Sequence, residues 1–269
     1  MKKIIITSAL VGSVPQKKDT PYVPITPEEI SQDAYECFKV GASVVHVHAR
    51  DKDGKSVHDL EIFREIHDKI KEKAPDLIVQ ISTGGRAGLT FDSRGKGLLI
   101  NPEMASLSTG SCNFPKMVYE NSPELIKDLA EEMKKRKIKP ELEIFDTSMI
   151  QPALDLFENG LIKKPLYFNF VMGLKGAQSA TVSQLSHLLS MIPEKAEWNI
   201  SGVGKYQLLT TYLGIALGGH VRVGLEDNIY YSKGKLATNV QLVERAVRLA
   251  KEYGRDVATP SEAREILGL

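Results

Sequence analysis

The sequence predicts one α/β domain over residues 1–269, folded as a (β/α)₈ barrel, or TIM barrel. Three observations carry this. Short β-rich apolar runs alternate with amphipathic stretches almost end to end, these runs number eight, and the glycine loop that would mark a dinucleotide-binding sheet is missing. The length also fits, because a barrel of this kind needs about 250 residues.

The predicted strands, in order, are KIIITSA from Lys3, SVVHVHA from Ser43, LIVQIST from Leu77, MASLSTG from Met104, ELEIF from Glu141, LYFNFVMG from Leu166, WNISGVG from Trp198 and HVRVGLE from His220. After the first run comes VGSVPQKKDTPYVP, where an open doubly wound sheet would place G-x-G-x-x-G and a helix. Helix starts are legible. Thr26-Pro27-Glu28-Glu29 and Thr259-Pro260-Ser261-Glu262 each offer an N-cap hydroxyl, a proline in the first turn and a glutamate at the third position. Ser122-Pro123-Glu124 opens another helix without that glutamate, and Gly41, Gly160 and Gly254 follow helical segments where a left-handed residue is wanted. No linker, low-complexity tract or repeat longer than the βα unit divides the chain.

Composition narrows the function. With 35 basic and 34 acidic side chains the formal charge is +1, so no global field attracts nucleic acid or anionic lipid, and any anion must bind at a local site. Cys37 and Cys112 are too few for a disulfide framework, which points to a reducing cytoplasm. MKKIIITSALVG briefly imitates a signal peptide. Its apolar run soon meets Pro15, Lys17, Lys18 and Asp19, and it reads as a buried first strand. No apolar run approaches the roughly 18 residues of a membrane span.

The chemistry concentrates at strand ends. In VVHVHAR, His46 and His48 share one face of a strand and Val45 and Val47 the other, so both imidazoles point into the barrel, where they could bind one zinc ion. A pair of hydrogen-bonded core histidines is the plainer reading. In HVRVGLE the even-numbered residues share a face, so Arg222 and Glu226 look inward. Glu226 could complete a His₂Glu site with a fourth position open, or pair with Arg222. His220, at the far end of that strand, reads as structural. Gln80 and Ser82, Ser106 and Ser108, Glu141 and Glu143, and Asn199 and Ser201 repeat the inward period, and those near strand starts, such as Gln80 and Glu141, can be internal bonding alone. Ser201-Gly202-Val203-Gly204-Lys205 follows the seventh strand, where barrels often hold a phosphate; a short glycine turn is the alternative. Asp51-Lys52-Asp53-Gly54 is a polar turn rather than a calcium loop. His58, His67 and His187 receive no site role.

PITPEEI, GASVVHVHAR, VQISTGG, NPEMASLSTGSCNF, GGHVRVGLEDNIY and ATPSEARE, in that order, resemble the β-keto acid cleavage enzymes along the whole chain. The resemblance implies a barrel, usually a homotetramer, with zinc on His46, His48 and Glu226. It further implies a general base at Asp227, an orienting Arg222 and a matching position at Glu143, with Ser82, Thr83, Gly84 and Ser106 around the substrate. Ser106 stands where another member has threonine, which keeps the hydroxyl. Acetyl-CoA would be the co-substrate, lying over the C-terminal mouth beside Gly204 and Lys205. Members acting on an amino-substituted acid carry a glutamate where this chain has Val14, so the resemblance, departed from here, predicts a β-keto acid with an uncharged tail. Lys17 and Lys18 could favour an anionic tail if their loop folded over the site.

Two other functions compete. An amidohydrolase-like hydrolase also uses a strand-borne H-x-H, but on the first strand and with further histidines that LEIF and YFNF lack. A non-catalytic metabolite-binding barrel with structural zinc would want four protein ligands, and three are in view.

Overall fold

A computed structural model describes residues 1–269. Eight parallel strands close into a barrel, each beside its neighbour in sequence: β1 (Ile6–Ala9), β2 (Val44–Val47), β3 (Ile78–Ile81), β4 (Met104–Ser108), β5 (Lys139–Ile144), β6 (Tyr167–Met172), β7 (Glu197–Gly202) and β8 (His220–Val223), which pairs with β1. All eight predicted runs overlap a barrel strand, although β5 and β7 begin one or two residues earlier than their runs. The outer helices are α1 (Pro27–Lys39), α2 (Leu60–Lys73), the short α3 (Phe91–Arg94), α4 (Pro123–Arg136), α5 (Ile150–Glu158), α6 (Val182–Met191), α7 (Gln207–Ala216), α8 (Asn239–Glu252) and α9 (Pro260–Leu267). Thr26 and Thr259 form the expected reciprocal caps, and Thr238 with Gln241 adds a third.

Outward strand residues such as Val45, Val79, Leu107 and Val221 pack under the helices in the main apolar core. The inward face divides along the barrel axis. At the N-terminal end Ile5, Val44, Ile78, Met104 and Tyr167 form an apolar layer, which Ala263 and Leu267 of α9 cover from below. Two residues further along the strands the layer turns polar, with Thr7, His46, Gln80, Glu141, Asn169, Asn199 and Arg222, all buried. The closed bottom and polar upper layers leave the C-terminal mouth as the only end equipped for chemistry, as this architecture requires.

Three short antiparallel hairpins rise from the mouth: Ala49–Arg50 with Ser56–Val57, Cys112–Phe114 with Met117–Tyr119, and Tyr230–Ser232 with Lys235–Leu236. The predicted polar turn Asp51–Gly54 is the tip of the first, where Asp51 Oδ1 accepts from the amides of Asp53 and Lys55. The hairpins were not legible as strands, being two or three residues long with one side in solvent.

Candidate metal and active site

His46 and His48 do reach a common point with Glu226. His46 Nε2 lies 3.3 Å from His48 Nε2 and 3.5 Å from a Glu226 oxygen, whose partner oxygen is 3.3 Å from His48 Nε2. Ligand atoms about 2.0–2.1 Å from a tetrahedral ion stand about 3.3–3.4 Å apart, so these three have the spacing of three corners of such a site. Two further observations fit a divalent cation. Glu226 Oε2 is buried without a hydrogen-bond partner. In addition, Glu226, Asp227 and Glu143 surround the single guanidinium of Arg222, leaving two negative charges uncompensated when all three are ionised. A buried excess of that size calls for a cation or for protons.

Arg222 organises this charge. It donates through Nε and Nη2 to both oxygens of Asp227 at 2.9 and 3.0 Å and through Nη2 to Glu226 at 2.7 Å, while Nη1 lies 3.4 Å from Glu143. Although burial opposes it, Arg222 and the two imidazoles hold the Glu226 carboxyl well below the usual carboxylate range. Burial pushes Asp227 up against the pull of Arg222. Burial, joined by Glu141 and Glu226, pushes Glu143 up to about 7 despite Arg222. His46 is pulled down to about 3 by burial, with Arg222 and His48 adding to the effect, which keeps its imidazole neutral as a ligand must be.

Strand alternation alone does not deliver Glu226. β8 ends at Val223, and Gly224 then turns the chain at φ +148°, where an added Cβ would stand 2.1 Å from the Ala9 carbonyl oxygen. Asp227 and Asn228 both donate their amides to the Gly224 carbonyl, and this tight turn brings the adjacent Glu226 and Asp227 to the same guanidinium. Asn239 locks the turn: it accepts from the Leu225 amide and donates to Leu10 O and Asp33. Gly12 lies so close that a Cβ there would come within 2.5 Å of Glu226 Cγ.

The remaining predicted residues are distributed as follows. Ser82 is buried and its hydroxyl accepts from the Gly84 amide. Ser106 Oγ accepts from the Thr83 amide, and Thr83 Oγ1 donates to the Ser106 carbonyl, so these two side chains brace each other beneath the loop. Gly84 lets Tyr119 approach, since a Cβ there would sit 2.9 Å from the phenol oxygen. Gly204 donates its amide to the Asp227 carbonyl and opens the turn before α7; Lys205 is exposed beside it, over the Tyr206 ring. Val14 is 76% exposed in the loop after β1. Lys17 is held by Glu29 and the Pro21 carbonyl, which turns it to its own loop and helix.

Sequence reasoning gave four neighbours no partner in the site, although it set Gln80 and Ser108 on the inward face. Gln80 touches His46 Nδ1 at 2.5 Å. Ser108 donates to Glu143 at 2.9 Å and bonds Tyr119 at 2.8 Å, and Tyr119 is stacked on Phe114 in the second hairpin. His58 lies near His48; its Nδ1 is buried without a partner, and burial together with His48 pulls it down to about 4. A signal for His58 existed: a hairpin with its turn at Asp51–Gly54 pairs Ala49 with Val57, which sets residues 48 and 58 side by side.

Comparison with known proteins shows the family. The sequence profile described as beta-keto acid cleavage enzyme matches residues 3–269. A 3-keto-5-aminohexanoate cleavage enzyme of Fusobacterium nucleatum is 45% identical over 271 residues, covering all of this chain and 99% of that one. A 3-oxoadipate:acetyl-CoA acetyltransferase of Cupriavidus necator is 43% identical over 269 residues, covering 98% and 94%. Among solved structures, apo ObcA superposes with a TM-score of 0.79 at 21% identity over 93% of this chain and 66% of that chain, a likeness of fold. With a match along nearly its whole length, the chain belongs to the beta-keto acid cleavage enzyme family.

Proposed function

We propose that this protein exchanges acyl groups between a small β-keto acid and acetyl-CoA, releasing acetoacetate and a new acyl-CoA. The observation that carries the reading is the convergence of His46, His48 and Glu226 beside the Arg222–Asp227 pair at the mouth of the barrel. Acetyl-CoA as the second substrate is supported by the printed activity of the Cupriavidus relative.

His46, His48 and Glu226 would hold a zinc ion, which would supply Lewis-acid stabilisation of negative charge developing on the substrate. Asp227, raised by burial and oriented by Arg222, takes the α-proton. The resulting carbanion attacks the thioester carbonyl of acetyl-CoA, forming a C–C bond and expelling the CoA thiolate. That thiolate adds to the original keto carbonyl, and the bond to the α-carbon breaks. Asp227 returns its proton to the α-carbon, leaving acetoacetate and the new acyl-CoA. Ser82 and the Thr83–Gly84 backbone, braced by Ser106, would line the substrate side, with Glu143 bonded to Ser108 and Ser108 in turn to Tyr119, which packs against Gly84. Lys205, exposed at the rim, is placed to meet a CoA phosphate, whereas the Gly204 amide is engaged with Asp227.

The two relatives act by name on acids with an ammonium and a carboxylate tail, so overall identity does not choose the tail here. Val14 offers no partner for an ammonium, and Lys17 is already paired. These two observations support an uncharged tail. We further infer a homotetramer, supported by the uncharged exposed face of Leu209, Tyr212 and Leu217 at α7, and a cytoplasmic setting, supported by two free cysteines. No helix is long and apolar enough to cross a membrane.

The deciding experiment incubates neutral, cationic and anionic β-keto acids with the zinc-loaded protein, with and without acetyl-CoA, and scores acetoacetate and the new thioester. Exchange that requires acetyl-CoA is expected. Turnover independent of acetyl-CoA would point instead to a hydrolase.

A further inference from the structure

The inward side chain directly beside His46 belongs to Gln80, its register partner on the neighbouring strand. Both are buried, and His46 Nδ1 lies 2.5 Å from Gln80 Oε1, the shortest contact either imidazole of the cluster makes. A carboxamide oxygen can only accept, so Nδ1 carries the ring proton and Nε2 keeps its lone pair aimed at His48 and Glu226. The amide cannot be turned over without loss. Rotated, its NH₂ would demand the opposite tautomer, with the Nε2 hydrogen pointing into the space between His48 and Glu226 where a metal would sit.

We propose that Gln80 is a positioning residue for the metal centre, holding His46 in the one tautomer that can ligate. This rests on the reading of His46, His48 and Glu226 as metal ligands. An amide at this place supplies the acceptor without adding charge to a cluster that already holds three carboxylates around one guanidinium.

The test is the zinc dissociation constant of the whole protein, measured by competition with a chromophoric chelator, together with the thermal melt of the zinc-free form. Gln80→Met removes the acceptor. Gln80→Asn keeps an amide but draws it back by one methylene. Each is expected to weaken zinc about ten- to a hundredfold, the usual effect of losing such a partner. Gln80→Glu restores an acceptor and is expected to hold zinc within about threefold of wild type or more tightly. A merely structural role would lower the zinc-free melt in all three variants and leave the dissociation constant unchanged. Wild-type affinity in either Gln80→Met or Gln80→Asn, whichever folds, would overturn the role of Gln80 while leaving the metal reading intact. Failure of the wild type itself to bind zinc would overturn the metal reading and this inference with it.

Discussion

Asp227 and Val14 carry the two sharpest predictions at the scale of single residues. Both oxygens of Asp227 lie on Arg222, and burial has raised its affinity for a proton, as a base in a dry pocket requires. Asp227→Asn is expected to retain zinc, because the three ligands and the contact of Glu226 to Arg222 remain, and to lose at least about a hundredfold in kcat, the lower range for removing a positioned base. Zinc content by atomic absorption beside steady-state rates decides it, and near-normal exchange would remove Asp227 from that role. Val14 is the residue we propose to set the choice of tail, provided that substrate binding covers it. An ammonium stripped of water without a partner loses several kcal/mol, whereas a methylene against valine gains about 0.8 kcal/mol. Wild type should therefore prefer 3-ketohexanoate over 3-keto-5-aminohexanoate in kcat/KM, and Val14→Glu should move the ratio about tenfold toward the amine, worth about 1.4 kcal/mol. Best turnover of the amine by wild type would mean that another carboxylate serves it. The histidines were readable from sequence because a β-strand repeats every two residues.

At the scale of elements, the turn after β8 is where local sequence stops being a guide. Period two would put Asp227 on the face opposite Glu226. The Gly224 bend and the Asn239 side chain bring both to Arg222 instead. Gly224→Ala would set a Cβ 2.1 Å from the Ala9 carbonyl, on backbone that barrel closure prevents from yielding. It is expected to cost about 3 kcal/mol or more, visible in the melt, and to abolish zinc binding by displacing Glu226. A variant with unaltered melt and zinc content would show that the turn relaxes freely. The hairpins follow the same logic: they are too short to show a pattern, yet they bring His58 beside His48 and Tyr119 beside Ser108.

Across the whole molecule, the polar layer above an apolar floor makes burial the dominant electrostatic influence, and it reaches beyond the site. Asp33 on α1, bonded by Asn239, is pushed up to about 6 by burial while that bond opposes it. The folded chain holds this proton more tightly than the unfolded chain. Its stabilising contribution is therefore complete below the ordinary carboxylate range and is lost as pH rises through about 6. Asp33→Asn should melt a few degrees above wild type at pH 8, reflecting about 1–3 kcal/mol, with the gap closing toward pH 4. A lower melt at pH 8 would show that the charge on Asp33 strengthens the Asn239 lock by more than burial penalises it.

The amino-acid sequence by itself determined the barrel, its eight strands, the helix caps and the inward stripe holding His46, His48 and Arg222. Strand periodicity, capping and βα alternation are set by residues a few positions apart. Only the tertiary structure decided which polar groups meet: Gln80 on His46, Ser108 on Glu143, Glu226 and Asp227 on one guanidinium, and Lys17 on Glu29 rather than over the mouth. Those pairings join strands and turns from distant parts of the chain. They depend on barrel register and on buried charges finding partners, and neither is written in local spacing.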